Sequence, residues 1–239
     1  MQPLAFGLDL ALIALVAGLL GLDRRGAFQF MLGQPVVAVP LLGLLLGQVE
    51  VGLQLGALLQ LLWMSSSLFG ANVPPNEMVA SLSIAGMVFL TERHGGGLPL
   101  PSLVAAAILL GAPLSLAGRA FEIRNDSANA LLAARADEAA RLGEWTTLAR
   151  LPWVALARAF LINAGLVMLA VGLGFALLLA LTPALLPVAP RSALAVIATY
   201  VVPAVGIGVA LSHLRRRRGL ALAALAFVVL LLVQPGGPT

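Results

Sequence analysis

The hydrophobic positions of this chain form long runs that few polar residues interrupt. The main apolar stretches are residues 4–22, 99–118, 151–181, 192–211 and 220–233. Several of them approach about 20 residues, the length that an α-helix needs to cross a hydrocarbon core about 30 Å thick. They therefore predict an all-α, multi-pass transmembrane helical protein.

The N-terminal half departs from this simple pattern between residues 34 and 92, where glycines, prolines and amides punctuate the apolar sequence. The apolar pieces at residues 35–47 and 78–91 are short for a full crossing at about 1.5 Å per helical residue. Irregular backbone survives at membrane depth only where protein or a water-filled cavity satisfies its N–H and C=O groups. We therefore expect short broken or re-entrant helices here, with a substrate path beside them.

One long polar stretch, residues 119–150, separates two apolar regions. It contains five arginines and five acidic residues. Alanine and leucine recur at helical spacing within it, especially over residues 128–142. This predicts a solvated amphipathic helix on the cytoplasmic side. It separates an N-terminal transmembrane region with a Gly/Pro-rich core, residues 1–118, from C-terminal transmembrane helices, residues 151–239.

Arginine clusters orient the predicted helices. Basic residues favour the cytoplasmic side, so Arg24 and Arg25 after the first run are expected inside, with the N-terminus outside. The four arginines at residues 215–218 are expected inside for the same reason. Residues 34–92 must then cross the membrane an odd number of times.

The spans on either side of the polar stretch follow from the same reasoning. Residues 99–118 form one clean span that leads inward to the polar stretch. Residues 151–181 are long enough for an interfacial turn around Arg158 followed by an outward helix, which ends in a proline-rich loop at residues 182–191. The last run, residues 220–233, is short for a complete crossing.

Composition excludes most soluble functions. Apolar residues make up 61% of the 239 positions and charged residues 10%, with a mean hydropathy of +1.04. All 14 basic residues are arginine, and such charges at the ends of apolar segments set orientation instead of binding nucleic acid. The absence of cysteine excludes disulfides and Cys-ligated metals. No hydrolase, zinc-protease or nucleotide-binding motif occurs, so we expect no catalytic set, no cofactor and no metal.

Residues 22–86 contain an ordered series of short motifs. They are Leu22-Asp23, Phe28-Gln29-Phe30, Gln34-Pro35, the Gly-Leu-Leu-Leu-Gly segment from Gly43 to Gly47, the spaced Gly52 and Gly56, Gln60-Leu61-Leu62-Trp63-Met64, Gly70-Ala71-Asn72, Pro74-Pro75-Asn76 and Ala80-Ser81. This order and spacing resembles the membrane IIC subunit of the mannose/fructose/sorbose family of the bacterial phosphoenolpyruvate-dependent sugar phosphotransferase system (PTS). The resemblance is densest over these residues and continues more loosely through most of the chain.

The resemblance implies a function and partners. In that family the IIC subunit binds a hexose-like sugar and presents it for phosphorylation by a cytoplasmic IIB subunit, so the chain is expected to be a transport component and not itself an enzyme. The implied protein partners are a IID membrane subunit and cytoplasmic IIA/IIB phosphotransfer subunits. The implied setting is an oligomer in the lipid bilayer of the bacterial inner (plasma) membrane, with no nucleic-acid partner.

Candidate substrate-binding residues are the amides in and beside these motifs. Sugar hydroxyls both donate and accept hydrogen bonds, and amide side chains offer both functions. The candidates are Gln29, Gln60, Asn72 and Asn76. Gln60 and Asn76 stand where the family commonly has Glu and Asp, so each keeps the shape of the side chain and removes its charge. For each amide the alternative is a hydrogen bond between helices.

Two other functions stay open at the level of the sequence. The absence of acids at positions 60 and 76 is compatible with a small-solute facilitator or channel that works without phosphoryl transfer. A degenerate membrane scaffold, whose motif residues only pack helices, is the third interpretation. The scaffold predicts that alanine at Gln29 or Asn76 alters stability and leaves transport unchanged.

Overall fold

The computed structural model describes residues 3–27, 29–64, 73–95, 97–188, 201–205 and 207. Its helices are α1 (Pro3–Arg25), α2 (Pro35–Leu45), α3 (Val49–Leu62), α4 (Glu77–Leu90), α5 (Leu100–Gly111), α6 (Leu114–Leu142) and α7 (Trp145–Val188), and a π-helical turn (Thr91–Gly95) extends α4. Within these residues, three stretches are long and apolar enough to cross a membrane, namely Pro3–Arg24, Leu100–Leu142 and Trp145–Pro183. The predicted all-α, multi-pass membrane fold is confirmed.

The helix at the centre of the bundle is α4. All of its residues are buried, and it packs against α1, α2, α5, α6 and α7. Apart from Glu77 at its first position it has no charged residue, and small and apolar side chains occupy every face. A helix that is apolar all round is buried on all sides. Its largest side chains, including Met78 and Phe89, share the core with Ile13 of α1.

Two polar clusters at opposite ends of the bundle show that α1 runs antiparallel to α4. At one end Asp9 Oδ2 lies 2.8 Å from His94 Nε2 and 3.4 Å from Arg93 Nε. At the other end Arg24 pairs with Glu77, the first residue of α4. The chain between α1 and the end of α4 therefore starts and finishes on opposite sides of the bundle, as an odd number of crossings requires.

Helices α2 and α3 form a short hairpin that packs on α4. Near its tip the Gln48 amide donates to the carbonyl of Phe89 at 3.0 Å. At its base Gln60 Nε2 donates to Gln34 Oε1 at 3.3 Å. With 11 and 14 residues the two helices extend about 16 and 21 Å, less than the thickness of the hydrocarbon core. The prediction of short broken or re-entrant helices in the N-terminal half is confirmed.

The hairpin depends on Gly43, where its two arms meet at backbone contact. A Cβ at this position would lie 2.8 Å from the carbonyl oxygen of Gln48 and 3.0 Å from the Cα of Gly52. Because backbone atoms cannot rotate away as a side chain can, we expect Gly43→Ala to lower the free energy of unfolding by about 1–3 kcal/mol. Unfolding in detergent micelles, followed by circular dichroism, measures this change.

Gly165→Ala in α7 is the matched control for the hairpin. A Cβ at Gly165 would meet nothing within 4 Å. This variant should keep or slightly raise the stability, because alanine favours the helix over glycine by about 1 kcal/mol. Equal stability of the two alanine variants would show that the arms of the hairpin are not in contact at Gly43.

Residues 99–150 contain two complete helices, α5 and α6, and the first turns of α7. The span predicted at residues 99–118 lies within the membrane-crossing stretch Leu100–Leu142, and its helix is interrupted at residues 112–113, because Pro113 lacks the N–H that would continue the hydrogen bonds of α5. The helix predicted at residues 128–142 is observed as the last part of α6, and the cytoplasmic position of the polar segment stays a prediction. Gly143 then ends α6 in the left-handed region, with φ at 70°.

The interfacial turn predicted around Arg158 is wrong. Helix α7 continues through this position from Trp145 to Val188, and it also covers the first part of the loop predicted at residues 182–191. The Arg158 guanidinium donates to the side-chain oxygens of Asn125, at 2.9 Å, and Asn129 on α6. These partners satisfy the charged group, so the helix does not have to break for Arg158 to reach water.

Several predictions concern residues outside the described part of the chain. They are the cytoplasmic position of residues 215–218, the crossing by residues 220–233 and most of the span at residues 192–211. The candidate site residue Asn72 also falls outside the described part.

Candidate functional site

Asp23, near the end of α1, organises the loop that follows this helix. It is 5% exposed, and its two carboxylate oxygens accept hydrogen bonds from the backbone N–H groups of Phe30, at 2.8 Å, and Leu32, at 2.7 Å. Next to these anchors, Gln29 and Met31 have φ angles of 54° and 63°, in a region that residues with side chains rarely occupy. The carboxylate thereby holds the loop, and Gln29 with it, in a defined conformation.

Arg24 joins three helices beside Asp23. Its Nη1 lies 2.5 Å from Glu77 Oε1 on α4, and its Nε lies 2.8 Å from Glu122 Oε1 on α6. We call these three side chains, which are 10% to 12% exposed, the Arg24 cluster. Arg24 lies at the end of α1 and Glu77 at the start of α4, so each charge is at the helix terminus whose dipole favours it. With two carboxylates and one guanidinium, the cluster has an excess of negative charge.

Asn76 connects the Arg24 cluster to the start of α4. Its Oδ1 caps α4 by accepting from the backbone N–H of Val79 at 3.0 Å, and its Nδ2 donates to Glu122 Oε1 at 2.8 Å. Its own backbone N–H donates to the carbonyl of Ser115 at 2.9 Å. Both polar atoms of the side chain are engaged in these contacts, and the residue is 1% exposed.

A cavity of about 290 Å³, which we call the Gln29 cavity, lies beside the Arg24 cluster. The residues lining it are Asp23, Arg24, Gln29, Met31, Gly33, Gln34 and Glu77. Its volume is at the lower end of the range of about 300–1,000 Å³ typical of small-molecule sites. Gln60 reaches this wall by donating to Gln34 Oε1 at 3.3 Å, and its own Oε1 accepts from the backbone N–H of Val36 at 3.2 Å.

The structure brings three of the four predicted site residues into one region. Gln29 lines the Gln29 cavity and is exposed. Gln60 is one hydrogen bond away from the cavity, through a neighbouring glutamine. Asn76 is bonded within the contacts of α4 and α6, and Asn72 lies outside the described residues. Substrate binding by these four amides stays a prediction.

The charged residues of this region were missed by sequence reasoning. Glu122 falls within the polar stretch predicted to be solvated, but its side chain is 12% exposed and pairs with Arg24, so that prediction is wrong for this residue. Arg24 is likewise more than an orientation signal. A signal was available for Glu77, because this acid directly follows Asn76, the position at which the resemblance predicts an acid.

The Gln29 cavity presents groups suited to a ligand with many hydroxyls. Gln29 and Gln34 carry amide donors and acceptors, Glu77 carries a carboxylate, and Arg24 carries N–H donors. A sugar ring needs both donors and acceptors at fixed positions. Across the described residues, no group of three or more His, Cys, Asp or Glu side chains could hold a metal ion.

Glu122 also lines a second cavity, of about 320 Å³, between α1, α6 and α7. Its walls include Asn125, Asn129 and Asn163. The side-chain oxygens of Asn125 and Asn129 accept from Arg158, and Asn163 donates to a carbonyl of its own helix. Since these contacts within the bundle engage its amides, the Gln29 cavity is the better candidate for a ligand site.

Comparison with known proteins points to one family. A family model described as the PTS system sorbose-specific IIC component matches residues 8–235. Over 155 residues the chain is 27% identical to the PTS system mannose-specific EIIC component of Escherichia coli strain K12, an alignment that covers 64% of this chain and 53% of the relative. The chain thus spans about half the length of the curated relatives that it matches.

Two solved structures share the fold. One, described as the structure of a membrane protein, has a TM-score of 0.68 and 21% sequence identity, covering 96% of this chain and 88% of that chain. The cryo-EM structure of the mannose transporter ManYZ in complex with microcin E492 has a TM-score of 0.59 and 23% identity, with the same coverage of 96% and 88%. At these identities the likeness is one of architecture.

Proposed function

Because the chain belongs to the family of PTS sorbose-specific IIC components, we propose that it is the sugar-translocating IIC subunit of a phosphoenolpyruvate-dependent sugar phosphotransferase system. It binds a hexose-like sugar within the membrane and presents it for phosphorylation by a IIB subunit. The chain contributes recognition and passage, and the phosphoryl transfer belongs to the partner.

The Gln29 cavity is the observation that supports this proposal best. Its polar groups lie at the end of α1, at the start of α4 and in the loop that follows α1. Polar groups at membrane depth are tolerated where they line a cavity, and there they are available to a ligand. Transporters commonly bind their substrates beside short or interrupted helices of this kind, and the α2–α3 hairpin provides them here.

The four predicted amides have different roles in this proposal. Gln29 contacts the sugar directly, since it lines the cavity. Gln60 orients the amide of Gln34 at the cavity wall. Asn76 positions the start of α4 by capping it. Asn72 is retained as a further sugar contact because of its place in the motif.

The proposed partners follow from the family. They are a IID membrane subunit and cytoplasmic IIA/IIB subunits, assembled as an oligomer in the bacterial inner membrane. We assign the docking of the cytoplasmic subunits to the turn between α6 and α7. Leu142 and Trp145 at this turn are 64% and 71% exposed, and exposed aromatic side chains are enriched at protein interfaces.

Uptake of radiolabelled D-mannose, D-fructose and L-sorbose tests the proposal. The cells should lack their own PTS membrane subunits and express this chain with IID and IIA/IIB partners. We expect labelled sugar phosphate to form, and Gln29→Ala to lower its initial rate about tenfold, because the site loses a side chain that bonds the sugar.

Gln54→Ala is the matched control, since Gln54 is an exposed amide on α3 that does not line the Gln29 cavity. It should transport at the rate of the unsubstituted chain. Free sugar that accumulates without the partners would replace the proposal with a facilitator. No uptake despite confirmed insertion and partner assembly would favour the scaffold.

A further inference from the structure

We propose that Glu77 is a sugar-binding residue of the Gln29 cavity, with its Oε2 accepting a hydrogen bond from one ring hydroxyl. The inference rests on the proposed function and deepens it, because it names a contact that the motif pattern does not contain. It also gives a hydrogen-bond partner to a buried carboxylate oxygen that has none among the described residues.

Only one of the two carboxylate oxygens of Glu77 has a hydrogen-bond partner among the described residues. Its Oε1 accepts from Arg24 Nη1 at 2.5 Å, whereas its Oε2 is buried and has no hydrogen-bond partner among the described residues. The residue is 8% exposed and lines the Gln29 cavity. A buried polar atom without a partner is costly and uncommon in native proteins. Because Oε2 is buried, a hydroxyl group of a ligand in this cavity would supply the missing donor once the Glu77 side chain turns Oε2 toward the cavity.

The other charged residues that line the cavity already have their partners. Both oxygens of Asp23 accept from backbone N–H groups of the loop after α1. Arg24 donates to Glu77, to Glu122 and, at 3.5 Å, to the carbonyl of Pro75. Glu77 is therefore the carboxylate of this cavity with one oxygen that no hydrogen bond among the described residues engages.

Glu77 also compensates for the missing charge at Asn76. The resemblance predicts an acid at position 76, but the asparagine there is engaged in capping α4 and in bonding Glu122. One position further, Glu77 begins α4, where the helix dipole stabilises a carboxylate. A carboxylate binds a hydroxyl donor about twice as strongly as a neutral amide does. The acid expected at position 76 thus stands one residue later in this chain.

The test pairs a substitution in the protein with substitutions in the sugar. Binding of radiolabelled D-mannose, D-fructose and L-sorbose to the full chain, purified with its IID partner in lipid nanodiscs, first selects the parent sugar. Competition by its monodeoxy-fluoro analogues then follows, because fluorine occupies the place of a hydroxyl and cannot donate a hydrogen bond. We expect fluorine at one ring position to weaken binding to the unsubstituted chain by about tenfold or more. Glu77→Met should bind the same analogue no more than about twofold more weakly than it binds the parent sugar.

Glu122→Met is the matched control, because Glu122 holds the same arginine and does not line the Gln29 cavity. In Glu122→Met, fluorine at that ring position should still weaken binding by about tenfold or more. Glu77→Gln is a second variant, whose side chain has nearly the shape of glutamate. In this variant, fluorine at that ring position should weaken binding less than in the unsubstituted chain, but the loss of affinity should still be measurable. Thermal unfolding shows that each variant compared is folded.

Equal penalties at every ring position in the unsubstituted chain and both Glu77 variants would overturn the role of Glu77 and leave the proposed function intact. If Glu122→Met reduces the loss of affinity caused by fluorine as much as Glu77→Met does, the role of Glu77 is also overturned, because the effect would then come from the Arg24 cluster as a whole. If no parent sugar binds to the assembled complex, the proposed function fails and this inference fails with it.

Discussion

Replacing Arg24 by alanine should lower the free energy of unfolding by about 3–5 kcal/mol, the range measured when one partner of a buried ion pair is removed. The arginine pairs with Glu77 and Glu122, and all three side chains are 10% to 12% exposed. Without it, two carboxylates would lie near each other with no compensating charge. Equilibrium unfolding in detergent micelles by titration with sodium dodecyl sulfate measures the change.

Neutralising the carboxylates should rescue this variant. In a background of Glu77→Gln with Glu122→Gln, Arg24→Ala should have a much smaller effect, because no carboxylate is left unpaired. Arg141→Ala is the surface control, since Arg141 and Glu138 are 79% and 61% exposed and 3.8 Å apart. Such a pair contributes at most about 1 kcal/mol. A similar loss for Arg24→Ala and Arg141→Ala would show that the Arg24 cluster is solvated.

Asp23→Ala should weaken sugar binding by about tenfold, the loss expected of Gln29→Ala, because Asp23 acts on the sugar through Gln29. The substitution removes the acceptor of the N–H groups of Phe30 and Leu32, and with it the restraint on Gln29. With φ at 54°, Gln29 would relax to a more favourable conformation and its amide would move. The measurement is the half-saturation concentration for uptake of the parent sugar, together with the maximal rate.

A positioning role for Asp23 predicts a graded result. Asp23→Asn keeps one side-chain oxygen and should therefore hold one of the two N–H groups, with an intermediate loss of affinity. Asp137→Ala, an exposed acid on α6, should change neither affinity nor rate. If Asp23→Ala lowers only the maximal rate, and the half-saturation concentration is unchanged, Asp23 does not position the sugar site.

The helices that cross the membrane could be predicted because their signal is local. An apolar run of about 20 residues satisfies its backbone only as a helix in lipid, whatever surrounds it. The short pieces of the N-terminal half were predicted for the same reason, since their length and their glycines are visible in the sequence. Pro113 was visible too, yet the span at residues 99–118 was treated as one helix, because its apolar composition outweighed the lost N–H.

The fate of the charged residues could not be predicted from local pattern. Arg158 would need an interfacial turn if it stood alone, and it remains within a helix because Asn125 and Asn129 reach it from 33 and 29 positions away. Glu122 resembles its solvated neighbours in sequence, but Arg24 bonds it across 98 positions. Only packing brings such residues together, since nothing in a window of neighbouring residues encodes these distances.

By itself, the sequence determined the all-α membrane class, the short helices near Gly43, and the motif order that places the chain in its family. Each of these depends on composition and spacing along the chain. Tertiary structure decided that Arg24, Glu77 and Glu122 form one cluster, that Asn76 is engaged as a helix cap, and that Gln29 shares a cavity with a carboxylate. These follow from helix packing, because in an apolar interior each charge and amide must find its partner wherever the fold places one.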